Sequence, residues 1–124
     1  MSHDINLFRS DPRAVTFPAG SLLYRAGDAG DSMVGVIDGQ VDIVADGAVI
    51  ETIGPGGIVG EMALIDGSAR SADAIARTEV RLSLIDRDGF VRLISTHPTF
   101  ALQVMGIMAD RLRKANEHRT ASSG

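Results

Sequence analysis

The chain has 124 residues, a hydrophobic fraction of 44% and a formal net charge of −4 at pH 7. This length and composition are typical of one globular domain that folds without cross-links, and the negative charge argues weakly against nucleic acid as a partner. The chain has no cysteine, which excludes disulfides and thiolate metal sites and fits the cytoplasm. It also has no apolar run of about 18 residues, so we expect no membrane span.

The first predicted element is a short helix over residues 4–8, capped by Asp4 and ended by Asp11-Pro12. Asp-Gly pairs at 38–39 and 46–47 lie between apolar runs, a pattern typical of hairpins. Many short β-rich segments separated by glycine turns predict a mainly β fold, an antiparallel β-roll (jelly roll) of about eight strands with flanking N- and C-terminal helices. The clearest of these segments are residues 15–17, 21–24, 32–37, 41–45, 49–53, 71–75 and 80–85.

Two helices are predicted at the C-terminal end. Asp86 suits the N-cap of a helix over residues 88–95, and Pro98 suits the first turn of a longer helix reaching about Glu117. The apolar residues of the longer helix cover two adjoining faces, more than one contact with a β-roll needs. This surplus predicts a homodimer or a partner protein at the C-terminal helix. We expect one domain over residues 1–118 and a disordered tail over 119–124.

Residues 60–71 (GEMALIDGSARS) bring together several groups that could bind a small anionic ligand. Gly60 has no side chain, so a ligand can approach the backbone closely. If residues 62–65 form a helical turn, its first amides favour an anion. Arg70 offers a fork of donors that suits phosphate, Ser71 adds a hydroxyl, and Glu61 suits a sugar hydroxyl. Together these groups predict a pocket for a compact nucleotide.

Gly60-Glu61-Met62-Ala63-Leu64 followed by Arg70-Ser71-Ala72 resembles the phosphate-binding cassette of cyclic nucleotide-binding domains. This family includes the bacterial catabolite activator protein, the regulatory subunits of cyclic-AMP-dependent kinase and cyclic-nucleotide-gated channels. The resemblance runs from about residue 17 to residue 113, and includes the segments 17–20, 25–31 and 39–43.

The resemblance also implies roles for individual residues. The amides of Gly60, Met62 and Ala63 would hold the cyclic phosphate with Arg70 and Ser71, while Glu61 takes the ribose 2′-hydroxyl. The base would lie beneath the long helix, near Ile43, Ile53 and Val59, although each of these also suits the core. Arg111 matches a position from which family members reach the base, and a solvated arginine is the alternative. Ser71 after the arginine favours cyclic AMP, with cyclic GMP possible.

Nothing in the sequence predicts catalysis, a cofactor or a metal site. The three histidines, His3, His97 and His118, are scattered, whereas a metal-binding cupin needs closely spaced ligands. Few residues follow Leu112, so we expect no helix-turn-helix and no direct contact with nucleic acid. The prediction is therefore a cyclic nucleotide sensor whose long helix moves to cover the base. The alternative is a family scaffold that binds no nucleotide and serves oligomerisation or protein interaction.

Overall fold

The computed structural model describes residues 5–123, with side chains described for residues 5–116. The chain forms a 3₁₀ turn, eight strands and three helices in these residues. The 3₁₀ turn is Leu7–Ser10, the strands are β1 Val15–Phe17, β2 Leu22–Tyr24, β3 Ser32–Asp38, β4 Val41–Ala45, β5 Ala48–Ile53, β6 Ile58–Val59, β7 Asp73–Ala76 and β8 Val80–Asp86, and the helices are α1 Glu61–Asp66, α2 Arg87–Thr96 and α3 Pro98–Ser123.

The strands form two four-stranded antiparallel sheets. One sheet has the order β1-β8-β3-β6 and the other the order β2-β7-β4-β5. Alternate residues of both sheets point inward, as the period of a strand requires, and form a core that includes Val36, Leu82 and Val59 from the first sheet and Val41 and Ala74 from the second. The prediction of a mainly β, antiparallel roll with flanking helices is confirmed.

A second core cluster lies under the helices. Phe100 of α3 packs edge-on against Phe8, with ring centroids 5.9 Å apart, and against Phe90 of α2 at 5.5 Å. Val104, one turn further along α3, is buried in the same cluster. Gly35 of β3 makes room for this packing, since a Cβ atom there would lie 2.5 Å from the Phe8 ring. These contacts fix the first half of α3 to the β-roll.

The N-terminal segment differs from its prediction. The helical turn is the 3₁₀ turn Leu7–Ser10 and not a helix over residues 4–8, and the Ile5 amide donates to the Gly56 carbonyl (2.8 Å) instead of entering the turn. Ile5 and Phe8, two apolar residues of this segment, are buried. Asp4, the predicted cap, lies outside the described residues.

One of the two predicted hairpins is wrong. Asp46-Gly47 joins β4 to β5, which are paired, and both residues have positive φ (52° and 78°) as a tight hairpin turn requires. Asp38-Gly39 instead carries the chain from β3 in one sheet to β4 in the other. Gly39 (φ 85°) provides the sharp turn in both interpretations, so the local pattern does not reveal which strands pair.

The helices follow their predicted signals. The Asp86 side chain accepts a hydrogen bond from the Gly89 amide (2.8 Å) and caps α2, and α3 begins at Pro98. Helix α3 continues past Glu117, where its end was predicted. The disordered tail expected over 119–124 stays a prediction, because the side chains from residue 117 onward lie outside those described.

The outer face of α3 carries an exposed apolar stripe, formed by Leu102 (67% exposed), Met105 (60%) and Leu112 (64%). This is the surplus surface that the sequence pattern indicated. The homodimer or partner contact expected there stays a prediction. Among the described residues, no helix combines the length and apolar character needed to cross a bilayer.

Candidate functional site

Strand β6 leads the chain directly into the segment with the predicted chemistry. It pairs with β3 through Val34–Val59 and Gly35–Ile58, so Gly60 follows beside the start of β3. Gly60 has φ 80° and is the N-cap of α1, whose six residues form fewer than two turns. This left-handed conformation is one that glycine adopts at no steric cost. It turns the chain from the sheet into α1.

The backbone of Arg70 is attached to a turn on the opposite side of the segment. The Arg70 amide donates to the Asp28 carbonyl (2.9 Å), and the Gly27 amide donates to the Arg70 carbonyl (2.8 Å). The next strand, β7, begins at Asp73, so residues 71–72 are not part of a strand, contrary to the predicted segment 71–75. This attachment lets the Arg70 side chain extend inward towards Gly60.

The Arg70 guanidinium lies inside the protein. The residue is only 8% exposed. Nη1 donates to the Gly60 carbonyl (2.9 Å) and Nη2 donates to the Ser32 carbonyl (2.7 Å). The Tyr24 ring lies beneath the guanidinium, with the central carbon 4.3 Å from the ring centroid, a favourable cation–π distance.

Two features of Arg70 indicate a missing anionic partner. Its Nε is buried and has no hydrogen-bond partner, and the ion pairs among the described residues include none with Arg70. The carbonyl and ring contacts supply only partial charges. A buried cation without a full negative charge beside it is costly. The surroundings of Arg70 are therefore ready to accept an anion.

A cavity of about 350 Å³ lies beside this guanidinium, within the range typical of small-molecule sites. Its charged lining residues are Arg70, Arg111, Glu51 and Glu61, so the side chains contribute no net formal charge. Apolar walls come from β4, β5 and β6 through Ile43, Ile50 and Val59, and small or polar groups come from α1 and the segment after it.

Glu61 lies at the start of α1 and is almost completely buried (2% exposed). It forms an ion pair and hydrogen bond with Nη1 of Arg111, which extends from α3. Arg111 Nη2 also donates to the Ile58 carbonyl (2.8 Å), and its Nε lies 3.5 Å from Glu51 Oε1 on β5. Helix α3 is thus connected through one side chain to β5, β6 and α1.

The structure brings the predicted site residues, except Ile53, to this one cavity. The lining includes Val59, Gly60, Glu61, Met62, Ala63, Arg70, Ser71 and Arg111. Ile43, predicted near the base, also lines it, whereas Ile53 is a residue of the core between the sheets. Their individual roles in binding stay predictions.

Sequence reasoning missed the residues that contact the two arginines of the site. Tyr24 supports the Arg70 guanidinium, Ser32 offers it a carbonyl, and Glu51 contacts Arg111. Tyr24 is the only tyrosine of the chain, and this was the one feature of the sequence that could have drawn attention to it. A carbonyl contact has no sequence signature, because every residue has a carbonyl group. Glu51 follows from the β4–β5 register, which places it opposite Ile43.

The ionisation of Tyr24 reports on this site. Burial raises the pKa of the Tyr24 hydroxyl above its ordinary value of 10.0, the charge of Arg70 opposes the rise, and Glu61 adds to it. Because the folded pKa exceeds the unfolded one, Tyr24 stabilises the fold below pH 10, and this contribution is lost as the pH rises through the folded pKa.

We expect ultraviolet titration of the phenol to give a midpoint above the ordinary value of 10.0. The signal belongs to Tyr24 alone, since the chain has one tyrosine and no tryptophan. Replacing Arg70 by glutamine should raise the midpoint further, because the opposing positive charge is removed. A midpoint at or below the ordinary value would contradict the buried position of the ring.

The β-roll and this cassette define a ligand-binding domain of the cyclic nucleotide type. Residues 14–97 match the family model described as "Cyclic nucleotide-binding domain", and the chain belongs to that family. Among the residues that the structure describes, no three His, Asp or Glu side chains lie close enough together to hold a metal ion.

Similar proteins include a channel and a transcriptional regulator. The chain is 42% identical over 89 residues to a cyclic nucleotide-gated potassium channel of Mesorhizobium japonicum, covering 72% of this chain and 24% of the channel. It is 32% identical over 109 residues to a CRP-like cAMP-activated global transcriptional regulator of Mycobacterium tuberculosis, covering 84% of this chain and 49% of that protein. The chain thus spans half or less of the length of these two relatives.

Among solved structures, the catabolite activator protein of Thermus thermophilus superposes with a TM-score of 0.80 at 29% identity. The superposition covers 90% of this chain and 55% of that chain. This similarity includes the β-roll and most of the helical part, so the fold is shared well beyond the cassette.

Proposed function

We propose that this domain is a cyclic nucleotide sensor that favours cyclic AMP and transmits binding to α3. The observation that carries the proposal is the Arg70 guanidinium, which is buried beside a cavity, has an unpartnered Nε and lacks a carboxylate partner among the described residues. A cyclic phosphodiester supplies the single negative charge and the acceptor oxygens that this group needs.

The other polar groups of the cavity support a nucleotide over a simple anion. Ser71, next to Arg70, lines the cavity and provides a hydroxyl donor. The Glu61 carboxylate, at the start of α1, accepts hydrogen bonds. In the proposed complex it accepts one from the ribose 2′-hydroxyl. Inorganic phosphate has no sugar hydroxyl to offer Glu61 and no apolar part to fill the space between the apolar walls of the cavity.

The base is proposed to lie against the apolar walls formed by Ile43, Ile50 and Val59. Two observations favour cyclic AMP over cyclic GMP. Ser71 is the residue that bacterial cyclic-AMP sensors of this family commonly carry after the cassette arginine. The similar mycobacterial regulator is named as cAMP-activated.

Transmission to α3 is proposed to run through Arg111. This side chain contacts Glu61 and the Ile58 carbonyl, so a ligand that engages Glu61 changes the contacts that hold α3. If the ligand binds one position of α3 more tightly than another, it shifts the population towards that position. The exposed stripe of Leu102, Met105 and Leu112 moves with the helix.

One observation favours a second candidate, a scaffold that binds no nucleotide. Glu61 already has a charged partner in Arg111, which a scaffold would use only to attach α3. Arg70 argues against this alternative, since its buried Nε has neither a hydrogen-bond partner nor a carboxylate beside it, whereas the Nε of Arg111 lies 3.5 Å from Glu51.

Isothermal titration calorimetry with cyclic AMP, cyclic GMP and 5′-AMP tests the proposal. We expect micromolar binding of cyclic AMP, weaker binding of cyclic GMP, and binding of 5′-AMP at least about tenfold weaker than cyclic AMP. The open monophosphate is not tied to the 3′ oxygen, so its phosphate loses conformational freedom when it binds Arg70 while the 2′-hydroxyl binds Glu61. No heat and no thermal shift with any of the three would support the scaffold.

A further inference from the structure

Glu61, the buried acid of the cavity, is shared between two possible partners. In the structure its Oε1 accepts from Arg111 Nη1. In the proposed complex the same carboxylate accepts from the sugar hydroxyl. A hydrogen bond between two charged groups is stronger than one from a neutral hydroxyl, so the hydroxyl gains less from Glu61 than it would gain from a carboxylate with no cation beside it.

We propose that Arg111 competes with the ligand's sugar for Glu61 and thereby limits how strongly the site distinguishes ribose from 2′-deoxyribose. The inference rests on the proposed function, because it concerns the sugar part of the same site. It assigns Arg111 a role in sugar specificity, in place of the base contact that sequence resemblance implied.

The position of Arg111 supports competition over direct contact with a base. All three of its guanidinium nitrogens face protein groups: Nη1 faces Glu61, Nη2 the Ile58 carbonyl and Nε the Glu51 carboxylate. The side chain is directed along the wall formed by β5, β6 and α1. Its partners there are two acids and a carbonyl, which compensate its charge without a ligand.

Glu51 is a second acidic partner for Arg111 and therefore affects the competition for Glu61. Its carboxylate lies 3.5 Å from Arg111 Nε, and the pair has no hydrogen bond, since that Nε is without a hydrogen-bond partner. When a sugar hydroxyl takes Glu61, Arg111 keeps Glu51 as a charged partner and does not become isolated. Glu51 therefore reduces the cost of moving Arg111 away from Glu61.

The test compares cyclic AMP with its 2′-deoxy analogue in variant and wild-type proteins. The measured quantity is the dissociation constant of the 2′-deoxy analogue divided by that of cyclic AMP. General effects on folding and phosphate binding cancel in this ratio. We expect the ratio to rise about five- to tenfold in Arg111→Gln, because Glu61 then has no cation beside it. Arg111→Lys keeps the positive charge but lacks the planar guanidinium, so it should give an intermediate rise in the ratio. This variant replaces Arg111→Gln if the glutamine variant does not fold.

Two further variants sharpen the test. Arg113→Gln is the control, because it removes an equal charge two residues away on α3. The Arg113 side chain pairs with Asp110 and does not line the cavity. The ratio for this variant should equal that of the wild type. Glu51→Gln should lower the ratio, because Arg111 then has only Glu61 as an acidic partner and is harder to displace.

The outcomes separate this inference from the proposed function. An unchanged or lower ratio in Arg111→Gln, with both nucleotides still bound, would overturn the competition, and a lower ratio would make Arg111 a residue that orients Glu61 for the sugar. A wild-type protein that binds neither nucleotide would overturn the proposed function, and the competition with it.

Discussion

Replacing Arg70 by glutamine is expected to weaken cyclic AMP binding by about a hundredfold or more, because each hydrogen bond to a charged group contributes about 1.5–3 kcal/mol. The side chain is buried beside the cavity, and its Nε has no partner within the protein. A ligand phosphate would supply one. Arg70→Lys keeps the charge without the planar fork, so we expect an intermediate loss of about tenfold.

The matched control is Arg77→Gln. Arg77 pairs with Asp42 at 3.3 Å, is mostly exposed and does not line the cavity. This variant removes the same charge from the protein and should change affinity by less than about twofold, since exposed ion pairs contribute little. Thermal melts followed by circular dichroism check that each variant is folded. The account fails if the folded Arg70→Gln variant binds cyclic AMP as well as Arg77→Gln does.

The second large effect is expected at Gly60. Gly60 has φ 80°, and a Cβ atom there would lie 2.2 Å from Arg70 Nη1. Gly60→Ala therefore imposes backbone strain of about 1–2 kcal/mol and also forces the guanidinium away from its carbonyl partners. We expect a lower melting temperature together with a loss of affinity of at least about tenfold.

Gly67 provides the control for the strain alone. It ends α1, has a similar φ of 74°, and has open space where a Cβ atom would lie. Gly67→Ala should lower stability by a similar amount while leaving affinity close to that of the wild type. Equal affinities in the two alanine variants would show that the contact between Gly60 and Arg70 has no part in binding.

Much of the fold follows from local patterns in the sequence. Seven of the eight strands lie within a few residues of their predicted positions, because alternating apolar residues and glycine turns determine them locally. Asp86 and Pro98 likewise fix the starts of α2 and α3. The pairing of strands is a non-local property. The Asp38-Gly39 turn therefore suggested a hairpin, where the chain in fact crosses between sheets.

The strand that was missed is β6, which has only two residues, Ile58 and Val59. It follows a run of glycines and a proline, so no alternating pattern can form. Its existence depends on β3, which supplies all of its pairing. This short strand nevertheless determines where Gly60 and α1 begin, and hence where the cavity lies.

The site was predictable in composition and only partly in arrangement. The spacing of Glu61, Arg70 and Ser71 indicated one pocket, and all three line the same cavity. The partners of Arg70 and Glu61 were not predictable. They come from Tyr24, Ser32 and Arg111, which are distant in sequence and approach only through tertiary packing.

The central claim is that the buried Arg70 guanidinium receives the phosphate of a cyclic nucleotide. It is tested most directly by the Nε–H resonance of Arg70 in a ¹H–¹⁵N correlation spectrum, assigned by its loss in Arg70→Lys. On saturation with cyclic AMP we expect this resonance to move downfield, as the unpartnered Nε–H gains a charged acceptor. An Arg70 Nε–H signal that stays in place while other resonances report binding would contradict the account.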